Sequence, residues 1–179
     1  MSPRFEVVEA KVWHCGQMLR RLRREHMWAI ACLGVDSHRE LRQRFDESSF
    51  RRAWLVDGKL AGIGGVTGSP LATEGMVWLA LSHDAMRYPL EMVRESRRQL
   101  DGLMRSRRRL LTTILEGDEA AKRFAVFVGF VAADERPEPR AVSRYGRRAL
   151  IETVASKDDI RVPMGSGFAV VMQYDREAA

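Results

Sequence analysis

The order of apolar segments in this 179-residue chain predicts a mixed α/β domain, a twisted sheet of six or seven strands with helices on both faces. Three observations carry that prediction. Two nearly continuous apolar runs, residues 76–81 and 110–115, flank a long amphipathic segment, the pattern of parallel strands joined by a crossover helix. Asp57-Gly58 lies between two further apolar runs, the strongest short-range signal of an antiparallel hairpin. Residues 168–174 supply an apolar strand after the last helix.

Taken in order, residues 5–8 form a short first strand. Val12, Cys15, Met18, Leu19 and Leu22 follow helical spacing and predict one helix over residues 12–27, with Arg20, Arg21, Arg23 and Arg24 on its other face. Ser37, with Glu40 three residues on, reads as a capping box that opens a helix turning Leu41 and Phe45 inward. Residues 53–56 and 60–66 are the hairpin strands, and 75–82 a strand buried on both faces. Pro89 suits the first turn of the long helix, whose buried stripe is Val93, Leu100, Leu103 and Met104. After the strand at 110–115, Asp118 opens a shorter helix that carries Ala121, Phe124 and Val128 inward and stops at Gly129. Residues 130–132 turn extended again, 134–140 with Pro137 and Pro139 form a loop, and strands at 149–154 and 168–174 close the sheet around the polar stretch 156–167. The two long helices of the second half are expected on opposite faces. No repeat or linker interrupts the pattern, so residues 1–179 read as a single domain.

Composition removes several classes. Apolar residues make up 45% and charged residues 30%, the balance of a chain that folds. No apolar run approaches the roughly 20 residues of a membrane span, and no apolar segment follows the N-terminal charges as in a secretion signal. A cytoplasmic protein with no membrane partner is expected. Cys15 and Cys32 can build neither a disulfide framework nor a four-ligand zinc site, and His14, His26 and His38 have no partners at metal-ligand spacing, so they read as structural and no metal is expected. The basic residues are 26 Arg and only 4 Lys. Arginine's planar fork suits phosphate and carboxylate, although a GC-rich genome produces the same excess. No aromatic residues alternate with the arginines and no helix-turn-helix or zinc-finger signature occurs, which leaves nucleic-acid binding a minor reading.

Two stretches carry a family likeness. In Asp118-Glu119-Ala120-Ala121-Lys122-Arg123-Phe124-Ala125-Val126-Phe127-Val128-Gly129-Phe130, the residues Ala121, Phe124, Gly129 and Phe130 match a phrase common in GCN5-related N-acetyltransferases (GNATs), Asn-x-x-Ala with an aromatic or aliphatic pair and a closing Gly-Phe. The hairpin Trp54-Leu55-Val56-Asp57-Gly58-Lys59-Leu60-Ala61-Gly62 is similar to that family's second and third strands. Over roughly residues 4–174, the chain resembles the GNAT-like acyl-CoA N-acyltransferase fold. The resemblance implies transfer of an acyl group from acetyl-CoA to an amine, with the thioester held where the fourth and fifth strands splay apart. It implies Leu81, Ser82, Arg87, Tyr88 and Asp118 as cofactor-binding positions, with Asp118 where the family carries Asn.

The family's phosphate loop, Gln/Arg-x-x-Gly-x-Gly/Ala, uses glycines so that backbone N–H groups and a helix N-terminus close on the pyrophosphate. The matching residues here are Arg87-Tyr88-Pro89-Leu90-Glu91-Met92. Arg87 is kept, Leu90 and Met92 stand where the glycines would, Pro89 removes a donor, and Glu91 adds negative charge; the family's frequent general-acid Tyr corresponds to Ala125. Binding of acetyl-CoA is therefore expected to be weak or absent. This degenerate version is similar to GNAT-like proteins of short-tailed phages, in which a Trp-Leu strand (Trp78-Leu79), an Arg-rich helix (Arg94, Arg97, Arg98) and a closing Gly-Phe (Gly129-Phe130) recur without the glycine loop. That likeness implies an alternative function: a catalytically inactive assembly or virion module, in the host cytoplasm and the virion. Arg94, Arg97, Arg98, Arg105 and Arg108 would then face an acidic protein surface or nucleic acid.

For direct acyl transfer, Glu116 at the end of the fifth strand is the candidate base, acting directly or through a water. Its other reading is a solvated carboxylate that helps start the next helix. His83 has a fitting intrinsic pKa, or it forms a surface pair with Asp84. Arg87 suits a phosphate, or solvent.

Overall fold

Asp57 and Gly58 both adopt positive φ, 49° and 73°, and so form the tight two-residue connection between β2 (Ser48–Val56) and β3 (Lys59–Thr67) that their sequence predicts. The computed structural model describes residues 4–32, 36–133, 161–164 and 167–175. Its sheet also contains β1 (Phe5–Glu9), β4 (Glu74–Leu81), β5 (Arg109–Leu115), β6 (Val131–Ala132), β7 (Arg161–Met164) and β8 (Gly167–Asp175). The strand order is β1-β2-β3-β4-β5-β8-β6, with β7 also on β8. β6 pairs with Gln173 and Met172 while β7 pairs with Gly167 to Val170, so the two short strands share one flank of β8 and the sheet is seven lanes wide. β4 and β5 run parallel and adjacent, as the crossover pattern predicts; the other pairs are antiparallel.

β7 lies inside the stretch read as a polar connection. Its four residues are too short to show an alternating pattern, and Pro163 argues against a strand unless it sits at an edge. The predicted loop at 134–140 and strand at 149–154 lie outside the described residues.

The helix predicted over 12–27 is two helices, α1 (Val12–Leu19) and α2 (Arg24–Cys32). The break has a tertiary cause. Leu22 bridges Ser82, Arg23 N–H donates to the Leu81 carbonyl (3.2 Å), and His83 N–H donates to the Arg21 carbonyl (3.1 Å). A continuous helix would have used those backbone groups internally. The cap of α3 (Ser37–Glu47) lies one residue earlier than predicted. Asp36 is the N-cap and accepts from Arg39 N–H (3.0 Å), while Glu40 pairs with Arg44 instead of closing a capping box.

α4 (Pro89–Leu103) starts with Pro89 in its first turn, and α5 (Glu119–Val128) ends at Gly129 with φ 115°. α1 and α3 pack on one face, through Met18, Leu41 and Phe45 against Ala53, Ile63, Trp78 and Ala80. α4 and α5 pack side by side on the other, through Leu100, Met104, Ala125 and Val128 against Val66, Leu110, Ile114, Met172 and Tyr174. The expectation that α4 and α5 lie on opposite faces is thus corrected: helices cover both faces, but these two share one. No helix among the described residues is long and apolar enough to cross a membrane.

Candidate active site in the cleft between β4 and β5

β4 and β5 pair only at Glu74↔Arg109, Gly75↔Leu110 and Met76↔Leu111, although β4 continues to Leu81 and β5 to Leu115. Beyond Met76 they part, while β5 stays zipped to β8 as far as Leu115↔Ala169. The opening is an apolar cavity of about 230 Å³, walled by Val77, Leu79, Leu81, Thr112, Ile114 and Leu115 among others. It explains why an unbroken apolar run forms β4: Val77 and Leu79 are only half-buried because they face the cavity.

Backbone polarity concentrates at the end of β4. Leu81 turns both its peptide groups to the β5 side: its N–H donates to His26 Nδ1 (3.1 Å) and its carbonyl accepts from Arg23 N–H. By strand alternation Leu79 repeats that orientation, at a level where β5 no longer pairs with β4.

His26 lines the cavity, and its pKa is pushed down to about 4, first by burial and then by the cationic Arg23; Asp118 and Glu25 oppose the shift. With Nδ1 accepting, the neutral ring carries its proton on Nε2. Arg23 is itself buried, its Nε 3.3 Å from Glu25. Asp118 is buried on the cavity wall and caps α5 by accepting from Ala121 N–H (2.9 Å).

Of the residues singled out from sequence, Leu81 and Asp118 meet at this cleft. Ser82 is fully buried just behind it, its N–H donating to the Ala61 carbonyl (2.9 Å). Glu116 is half-buried in the turn after β5, next to the lining residue Leu115 and not itself on the wall. His83 is exposed, with Nδ1 3.2 Å from the Arg21 carbonyl and Nε2 3.7 Å from Asp84, and stands outside the lining. Arg87 is exposed at the end of a 3-10 turn (His83–Arg87), and Tyr88 is the N-cap of α4.

The two residues in place of glycines behave differently from one another. Met92 is 2% exposed and packs with Trp54, Val56, Ala61, Leu81 and Ala85, so it fills core and not a phosphate cradle. Leu90 is 65% exposed. Tyr88 supplies no side-chain cap, and the first helical bond runs from Met92 N–H to the Tyr88 carbonyl (3.0 Å), which leaves the Leu90 and Glu91 N–H groups at the helix mouth.

No known family's sequence model matches the chain, and no curated protein matches it. Solved structures do. A ribosomal-protein alanine N-acetyltransferase from Escherichia coli matches with a TM-score of 0.61 at 15% identity, over 96% of this chain and 94% of that one. An aminoglycoside acetyltransferase in complex with coenzyme A matches with a TM-score of 0.62 at 12% identity, over 98% and 96%. A ribosomal-protein alanine acetyltransferase from Vibrio fischeri matches with a TM-score of 0.56 at 12% identity, over 99% and 98%. The protein has the GNAT acyl-CoA N-acyltransferase fold. At these identities the likeness is one of fold.

Proposed function

We propose that the protein is a GNAT-type N-acyltransferase that moves an acyl group from acyl-CoA to an amine. The observation that carries this reading is the cleft: β4 and β5 separate after three pairs and leave an apolar cavity edged by backbone polar groups. Acyl-CoA fits the residues present. Val77 and Leu79 would hold the pantetheine end along β4, and the Leu90 and Glu91 N–H groups at the uncapped start of α4, with Arg87 beside them, would meet the phosphates. Bound acyl-CoA supplies the activated thioester.

In the transfer, the uncharged amine nitrogen attacks the thioester carbon, the C–N bond forms, the C–S bond breaks, and the thiolate leaves with a proton. The Leu79 N–H and the neutral His26 Nε2–H are the donors suited to the oxyanion. Glu116, reaching the cleft through water, and Asp118 on its wall are the carboxylates suited to the amine's proton. His26→Asn keeps an acceptor for Leu81 N–H but removes the Nε2 donor. It is expected to lower kcat for amine-dependent thiol release from acetyl-CoA by about 100-fold, with the Kd for acetyl-CoA within about threefold of wild type. An unchanged kcat would remove His26 from the mechanism.

The phosphate loop favours a second reading. Leu90 and Met92 stand in place of the two glycines, Met92 is built into the core, and Glu91 adds negative charge between them, which suits a non-catalytic module of the phage type. Its exposed arginines Arg94, Arg97, Arg98, Arg105 and Arg108 on and after α4 would then meet an acidic partner. Failure of both CoA and acetyl-CoA to bind at millimolar concentration selects this second reading.

A further inference from the structure

We propose that the acyl acceptor is a small amine with a free carboxylate beside its amino group, an α-amino acid, and that Arg23 receives the carboxylate. The inference rests on the acyltransferase reading and names its acceptor. The cavity passes through the wedge and touches both faces of the sheet, with Leu22, Leu41 and Ala80 on the α1 and α3 side and Leu100, Ala125 and Val128 on the α4 and α5 side. The donor's phosphates belong at the start of α4, so the amine is left with the other face. Arg23 and His26 line the cavity there, next to Leu22.

The Arg23 backbone is fixed, but the end of its side chain is unused. Its N–H donates to the Leu81 carbonyl (3.2 Å), and the Leu81 N–H donates to His26 Nδ1 (3.1 Å), so both residues are held at the end of β4. The Arg23 side chain is only 8% exposed, and its one ion-pair partner among the described residues is the exposed Glu25, 3.3 Å from Nε. Nη1 and Nη2 donate to no acceptor among the described residues. Nor are they sealed in, since the partnerless atoms that are wholly enclosed lie on other side chains. A guanidinium this buried, with its terminal nitrogens unpaired on a cavity wall, is stabilised when an anion enters.

The surrounding charges select that anion. Arg23 and Asp118 both act on the protonation of His26, in opposite directions, so a cation and an anion lie near the same neutral ring. An amino acid presents the matching pair: its carboxylate suits the planar Arg23 fork, and its amino group suits the acidic side. A phosphate dianion would call for a second cation, and Arg44, also on the wall, is bonded to Glu40 (2.6 Å). In the reaction the uncharged amine becomes the amide, coenzyme A leaves as the thiol with the amine's proton, and the carboxylate stays ionised on Arg23.

The test is amine-dependent thiol release from acetyl-CoA with leucine, leucine amide and 3-methylbutylamine, which share a side chain suited to the apolar wall and differ at the carboxylate. Leucine should exceed both others about 100-fold in kcat/KM. Arg23→Gln should bring these ratios towards one, chiefly through KM, with the Kd for acetyl-CoA within about threefold of wild type. If Arg23→Gln melts below the assay temperature, inhibition of the wild type serves instead: 4-methylpentanoate, leucine without its amine, should compete with leucine. Equal or better use of the amide or of 3-methylbutylamine, ratios unchanged in the variant, absence of competition by 4-methylpentanoate, or bound acetyl-CoA that reacts with none of the three amines overturns the acceptor while leaving the CoA site in place. Failure of acetyl-CoA to bind removes both.

Discussion

His26 is held neutral by two contacts of different kind. Burial and the adjacent Arg23 both oppose a second proton, and the Leu81 N–H occupies the nitrogen that would take it. The consequence for stability has a definite sign. The unfolded chain protonates this histidine at its ordinary value of 6.5 while the folded one does so only at about 4, so between those pH values the unfolded state binds the extra proton. Stability is complete above pH 6.5 and falls as pH drops towards 4, by at most about 3 kcal/mol from this group. Urea unfolding at pH 7 and pH 4 should show a larger loss for wild type than for His26→Asn; equal losses would mean that His26 is solvated. No local pattern announces the residue. Its partner is 55 positions away, and a histidine without ligands at short spacing reads as structural until the end of β4 is seen to need a cover. Asp118 was legible, because an acidic N-cap before an amphipathic run is a local signal.

At the scale of single elements, α4 separates the two sequence changes in its first turn. Met92→Gly empties a core position and adds a helical glycine, so it should cost about 3–6 kcal/mol. Leu90→Gly, at an exposed position, should cost under about 1 kcal/mol and raise affinity for CoA a fewfold by opening the helix mouth. Thermal melts and calorimetry on the two single variants check this. A stable Met92→Gly, or a Leu90→Gly that binds CoA no better, would contradict the division of roles. The elements read best from sequence are those with local causes: the Asp57-Gly58 turn, Pro89 at the start of α4, Gly129 at the end of α5. Those misread have distant causes. Arg21 to Arg23 leave the helix because the end of β4 takes their backbone groups, although Leu22 continues the helical spacing. Ser37 lost the cap to Asp36, an equally good capping residue one position earlier.

For the whole molecule, topology makes the site. A parallel pair inside an otherwise antiparallel sheet is held only at Glu74 to Met76 of β4, and antiparallel partners on the outer flanks, β3 and β8, keep each strand in place while the two diverge. The wedge is thus a stable feature of a folded sheet and not a fault in it, and it opens where apolar side chains and outward-turned peptide groups meet. Sequence predicts the two strands as neighbours. It does not predict where they part, since apolar residues continue along both. If this wedge and the start of α4 together bind CoA, saturating acetyl-CoA should slow amide hydrogen exchange at Val77, Leu79, Leu90 and Glu91. Unchanged exchange at all four, or protection confined to the arginine-bearing side of α4, would show that CoA does not bind there.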